Sequence, residues 1–317
     1  MKLTIRILGV VLVAICVFAV AGILATWAPD RPVSALVQRW APAPSKFMTV
    51  DGMQVHVRDE GPRDDPMPIV LLHGTSASLH TWDGWTQALK SQRRVIRFDL
   101  PAFGLTGPHP NNDYSIASYI HVVMGVVDQL GVGQFVLAGN SLGGQIAWGA
   151  ALAHPQRVGK LVLVDAAGYP FEPASVPIGF RIARMPGVRV LMEKVLPRGI
   201  VESSVRNVYG DPGRVTPELV DRYYELTLRT GNRKALAYRM DQRLSGQEDT
   251  IKNIKVPTLI VWGAKDRLIP IDSAHRFAAD IQGAQLVVFD ALGHVPHEED
   301  AVKTVDTVKA FLAAPNR

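Results

Sequence analysis

A serine hydroxyl becomes an effective nucleophile only when a base removes its proton and an acid orients that base. Ser141, His294 and Asp266 have the types and settings for those three roles in a chain of 317 residues. Ser141 sits in Gly139-Asn140-Ser141-Leu142-Gly143-Gly144, between the apolar run 135–138 and a helix-like stretch, 145–154, that Pro155 closes. A Ser flanked by Gly two residues either side, at a strand-to-helix turn, fits a nucleophile elbow. The turn is tight enough that Cβ atoms at 139 and 143 would meet neighbouring backbone, which only Gly avoids. The hydroxyl would stand above the sheet edge, with a helix N-terminus behind it to favour developing negative charge. Asp266 follows the apolar run 258–263, and His294 follows the run 285–289 in a Gly-containing loop. Both emerge at strand ends, where open α/β sheets place their sites. In this reading Ser141 attacks a carbonyl carbon, His294 transfers the proton to the leaving group, and Asp266 fixes the imidazole tautomer.

Two other groups compete for these roles. Asp165 ends the apolar run 161–164 and is the rival acid, while His297 is the rival base. Pro296 and the acidic run Glu298-Glu299-Asp300 place His297 at the start of the last helix instead. A developing oxyanion needs backbone N–H donors, expected from Leu142, after the nucleophile, and from Thr75, in the loop after the run 69–72. Gly74 lets the backbone approach the substrate there, and His73 reads as a structural support of that loop rather than a second base.

These segments resemble the α/β-hydrolase superfamily, in the branch that carries an internal lid. The likeness rests on Leu71-Leu72-His73-Gly74, Asp99-Leu100-Pro101-Ala102-Phe103-Gly104, Gly139 to Gly144, Trp262-Gly263-Ala264-Lys265-Asp266 and Gly293-His294. The chain order Ser, Asp, His is the one that superfamily uses. Serine at 141 argues against the dehalogenase and epoxide hydrolase branches, which resemble this chain but use Asp as nucleophile. Ala102 departs from a Gly often seen in the loop after Asp99, away from the chemistry.

The elements needed to position these residues are legible. From about residue 47, apolar strand-like runs alternate with helix-like stretches such as 115–130 and 273–281, which predicts a mostly parallel sheet covered by helices on both faces. With 47% hydrophobic and 20% charged residues, the chain has the material for one buried core. The alternation breaks between 168 and 254, where no strand pattern is found and a helical lid is expected. The expected organisation is therefore an α/β core at 47–167 and 255–317, a lid at 168–254, a Pro-rich spacer at 29–46 and an anchor at 1–28. From Arg181 to Arg243 there are 13 basic residues against 7 acids, while the whole chain carries +5. Solvated helix faces, with acids at helical spacing, account for these charges, although a basic lid would also suit anionic headgroups or acidic substrates. Apolar residues among them (Phe180, Ile182, Met185, Val188, Val190, Leu191, Met192, Val195, Leu196) would line a pocket or face a bilayer. No nucleic-acid motif accompanies the charge.

From Ile7 to Trp27 no residue is charged. That apolar length suits a transmembrane helix better than a signal-peptide core. Lys2 and Arg6 before it favour a cytoplasmic N-terminus, and hence a bacterial inner-membrane anchor with the catalytic domain outside the cytoplasm. Leu36, Val37 and Trp40 in the spacer would lie on the membrane surface. The lone Cys16 rules out an intramolecular disulfide. Histidines are not spaced as ligands, so no metal is expected, and a serine triad needs no cofactor.

The expected activity is hydrolysis of carboxylic esters with an apolar or lipid-like part through an acyl-enzyme. Membrane-anchored monoacylglycerol lipases of the superfamily resemble the arrangement. A C–C bond hydrolase of ring-cleavage products is the alternative, since it shares the triad and a similar elbow, although Val295-Pro296 stand where that family usually has Trp soon after its His. A catalytically silent, membrane-bound ligand-binding protein of the same fold is the third reading.

Overall fold

Side chains alternate across the central strands between two apolar cores, as a two-residue period requires. The computed structural model describes residues 2–185, 187, 193–242 and 246–314, without the side chains at 2–5, 9, 15, 16, 19 and 20. Eight strands form one sheet: β1 (Lys46–Val50), β2 (Met53–Glu60), β3 (Ile69–Leu72), β4 (Val95–Phe98), β5 (Phe135–Asn140), β6 (Val158–Val164), β7 (Thr258–Gly263) and β8 (Gln285–Phe289). Their order is β1-β2-β4-β3-β5-β6-β7-β8. β1 pairs antiparallel with β2 and β2 with β4, and every pairing from β4 to β8 is parallel. The mostly parallel sheet expected from the alternation is present.

None of the apolar runs read from the sequence covers β1. This strand is largely exposed and shows no clean apolar alternation. The signal that could have marked it is Asp51-Gly52, where both residues take positive φ (50° and 75°) and join Val50 to Met53 in a two-residue hairpin.

Twelve helices are used below, in chain order: α1 (Lys2–Ala25), α2 (Val37–Trp40), α3 (Asp83–Leu89), α4 (Ile116–Gln129), α5 (Leu142–Ala153), α6 (Ile178–Ala183), α7 (Arg198–Val208), α8 (Pro217–Thr227), α9 (Asn232–Asp241), α10 (Asp272–Asp280), α11 (Pro296–Glu299) and α12 (Ala301–Ala313). On one face Val70, Leu72, Leu137 and Ile260 pack with Val123 of α4, Ile146 of α5 and Phe277 of α10. On the other, Ile69, Leu71, Val136 and Val261 meet Trp85 and Leu89 of α3 and Val308 and Phe311 of α12. α4 begins one residue after its cap, Ser115, whose hydroxyl accepts from Ser118 N. Between β6 and β7 the described residues hold helices α6 to α9 and no strand of the sheet.

The N-terminal expectations need correction. Among the described residues no helix is long and apolar enough to cross a membrane, so the transmembrane span is not supported. The stretch read as a spacer is docked. Ala28 packs with Leu196 and Leu228, and Leu36 (1% exposed) is enclosed by Leu105 and Leu226 rather than lying on a membrane. Trp40 donates through Nε1 to Glu225 at 2.7 Å. Met1, Val188, Arg189, Val190, Leu191, Met192 and Arg243 lie outside the described residues, as does the Cys16 side chain.

Because Leu72 is fully buried at the end of β3, Leu72→Ala is expected to cost about 2–5 kcal/mol. Urea unfolding of the two proteins would show this, and a loss below 1 kcal/mol would mean the site collapses freely.

Candidate active site

The turn from β5 into α5 is dictated by the absence of side chains around it. A Cβ at Gly139 would collide with the backbone of Gly143, one at Gly143 with the backbone carbonyl of Leu72, and one at Gly144 with the Ala166 side chain. The backbone therefore closes on itself, and Ser141 takes φ 55°, ψ −115°, a conformation that L-residues with side chains seldom hold. Its carbonyl accepts from Gln145 N and Ala167 N, and its own N–H donates to Val164 O at 3.1 Å. Hydrogen bonds on both sides thus hold the strained residue. Leu142 is the first residue of α5, so its N–H has no acceptor within the helix.

Gly74, Thr75, Ser141, Leu142 and His294 line one cavity of about 590 Å³. His294 Nδ1–H donates to Asp266 Oδ2 at 2.7 Å, which leaves Nε2 as the acceptor. Asp266 Oδ1 accepts from Leu268 N at 2.7 Å and Ile269 N at 3.0 Å, so this carboxylate is fixed from both oxygens. The pair is buried, with His294 4% exposed. Thr75 and Gly74 stand beside the elbow, and a Cβ at Gly74 would press on Asn140 Oδ1.

His73 is bonded on both ring nitrogens: Nδ1 donates to Gly74 O at 2.7 Å and Nε2 accepts from Leu100 N at 2.9 Å. Burial pushes its pKa down, so it is a neutral brace for the loop. His297 belongs to α11 and stacks on Trp82 with centroids 3.9 Å apart. Both of its ring nitrogens are buried without a hydrogen-bond partner, and burial, followed by the neighbouring His294, pushes its pKa well below the usual value.

Asp165 lies beside the proposed acid. It is fully buried with φ 42°, its Oδ1 accepts from Gly263 N at 3.0 Å, and its Oδ2 has no partner. Side-chain ligand atoms of Asp165, Asp266 and His294 all lie within 4.8 Å of one another. Burial first, and the charge of Asp266 second, raise the Asp165 pKa well above the usual carboxylate value.

Two positioning residues lie outside the expected set. Asn140 Nδ2 donates to Val164 O at 3.1 Å and to His294 O at 2.9 Å, which ties the elbow to the histidine loop. Its place next to Ser141 was the available signal. Glu299 Oε2 accepts from Gly293 N and Gly210 N, each at 2.9 Å, and Oε1 accepts from Asp211 N at 2.7 Å. No local pattern points to it, because two of its three partners, Gly210 and Asp211, lie 89 and 88 residues away.

Several basic residues between β6 and β7 are paired with acids. Arg198 pairs with Asp221 at 2.7 Å, Arg206 with Glu202 at 2.9 Å, Arg222 with Glu298, and Arg233 with Asp30. Of the apolar residues named for this segment, Phe180, Ile182 and Leu196 line the cavity, Val195 is buried, and Met185 is 50% exposed.

Residues 67–301 match the alpha/beta hydrolase fold family, and the chain belongs to that family. It is similar to a 2-hydroxy-6-oxo-2,4-heptadienoate hydrolase of Pseudomonas putida, 29% identical over 85% of this chain and 96% of that protein. A 2-hydroxy-6-oxononadienedioate/2-hydroxy-6-oxononatrienedioate hydrolase of Cupriavidus pinatubonensis is 30% identical over 84% and 95%. Among solved structures, a membrane phospholipase A described as a bacterial virulence factor superposes with TM-score 0.72 at 25% identity, covering 98% of both chains.

The raised pKa of Asp165 sets a pH dependence. Its unfolded pKa is near 3.9 and its folded pKa is higher, so above pH 4 the unfolded chain releases a proton that the fold retains. Its contribution is fully present below about pH 4 and is lost as pH rises through the folded value. Asp165→Asn removes this term, so its urea midpoint should gain on the wild type between about pH 4 and pH 8. A difference that stays constant across that range would show that Asp165 is ionised in the fold.

Proposed function

We propose that the chain is a serine ester hydrolase working through Ser141, His294 and Asp266. The observation that carries this reading is the 2.7 Å His294–Asp266 hydrogen bond, set at the wall of the same cavity as a strained Ser141. In acylation, Ser141 Oγ attacks the ester carbonyl carbon and His294 Nε2 takes the hydroxyl proton. The tetrahedral oxyanion accepts hydrogen bonds from the N–H groups of Leu142 and Thr75. His294 then gives its proton to the departing alkoxide, leaving an acyl-serine and a free alcohol. Water, deprotonated by His294, attacks the acyl carbon, and the carboxylic acid leaves as Ser141 regains its proton. Asp266 stabilises the imidazolium formed in each half-reaction.

The helices between β6 and β7 act as a lid over this cavity, with Phe180, Ile182 and Leu196 facing the apolar part of the substrate. Cleavage of a C–C bond in ring-cleavage products is the second reading. It is favoured by the relatives named above, which cover 96% and 95% of their own length and carry such substrates in their names. A substrate panel separates the two. Turnover of p-nitrophenyl and monoacylglycerol esters without turnover of a ring-cleavage dienoate supports the ester reading, and the reverse supports the alternative. On esters, Ser141→Ala is expected to lower kcat by at least about 10³-fold; activity surviving near the wild-type level would sink the nucleophile assignment.

We also propose that α1 holds the protein at a membrane. Its support is the row of exposed apolar side chains Ile7, Leu8, Val10, Leu12, Val13 and Phe18, together with the membrane phospholipase A match, which covers 98% of this chain. The full-length protein should resist alkaline carbonate extraction from membranes. Release into the supernatant would overturn the anchor.

A further inference from the structure

Among the described residues, the ion pairs made between β6 and β7 take in Arg198, Arg206, Arg214, Arg222 and Arg233 but not Arg239. Arg239, on α9, is 5% exposed and lines the cavity that holds Ser141 and His294. Its Nε is buried with no hydrogen-bond partner, and among the described residues no carboxylate pairs with it. Its neighbours are the hydroxyl of Tyr119, which donates to Pro101 O at 3.2 Å and accepts from the guanidinium, and a second cation, Arg184, which also lines the cavity, so its one polar partner there is neutral. Asp241 lies two positions on and lines the cavity too, but it is exposed, and residues two apart on a helix do not face each other. Burial, with a lesser contribution from Arg184, lowers the Arg239 pKa from its usual value, although a guanidinium remains charged at any working pH.

A buried cation without a counter-ion is costly. The cost is met when a ligand supplies the charge. A guanidinium fork matches a carboxylate or a phosphate through two parallel hydrogen bonds. The rest of the wall is largely apolar, contributed by residues such as Phe171, Phe180, Ile200 and Leu236. We propose that Arg239 is the binding site for an anionic group, carboxylate or phosphate, carried by an otherwise apolar ester whose carbonyl meets Ser141. This rests on the ester-hydrolase reading and narrows its substrate class.

The test compares kcat/KM of the full-length protein on three esters of one acyl chain length: a 1-monoacylglycerol, the corresponding 1-acylglycerol 3-phosphate, and a glycol monoester bearing a terminal carboxylate. The wild type should favour one anionic ester over the neutral one at least tenfold, and the favoured ester identifies phosphate or carboxylate. Arg239→Met should lower kcat/KM for that ester at least tenfold more than for the neutral one. Equal losses, or a wild type without preference, would overturn the proposal. If the variant does not fold, inhibition of the wild type on p-nitrophenyl butyrate replaces it. A dodecyl phosphate or dodecanoate should then inhibit at least tenfold more strongly than dodecanol, and equal potency would overturn the assignment. Should no ester be turned over, the ester reading fails by itself. Thermal shifts of Ser141→Ala with the same three ligands still decide the anion site: a rise with an anion but not with dodecanol upholds it, and no difference removes it.

Discussion

Everything around Ser141 depends on backbone passing backbone without side chains between. Gly139, Gly143 and Gly144 each lack room for a single carbon, and this closeness forces Ser141 into its unfavourable φ and ψ. A strained residue persists only where its surroundings over-determine it. Here the determination comes from β6, through the bond from Ser141 N to Val164 O, and from Ala167, which donates to the serine carbonyl. The order of strands matters for the same reason, since β5 must lie between β3 and β6 for these contacts to exist.

The two acids at the ends of β6 and β7 show how environment divides identical side chains. Asp266 receives two backbone N–H bonds and the imidazole N–H. Asp165 receives one N–H and lies fully buried beside Asp266, and burial first and that neighbouring charge second raise its pKa. Two carboxyls this close cannot both ionise cheaply.

Local pattern made the core of the fold legible because parallel strands buried on both faces leave continuous apolar runs. Ser141, Asp266 and His294 stood out because each directly follows such a run. What remained hidden depended on distant partners. Asp165 and Asp266 look alike in sequence, and only the N–H groups of Gly263, Leu268 and Ile269 tell them apart. Leu36 reads as a residue for a membrane surface until Leu105 and Leu226 are brought over it. β1 escaped because an exposed edge strand carries little apolar signal, although Asp51-Gly52 announced its turn. Arg239 has no local mark separating it from the other basic residues, since what distinguishes it is burial in the cavity wall without a paired acid.

Glu299 joins two parts of the molecule whose movements would otherwise be independent. One carboxylate grips Gly210 and Asp211, at the end of α7, and Gly293, next to the histidine, while His294 N donates to Val208 O at 2.8 Å. Any displacement of α7 from the cavity must therefore break these bonds or carry Gly293 and His294 with it, so the helix beside the cavity and the histidine loop behave mechanically as one piece.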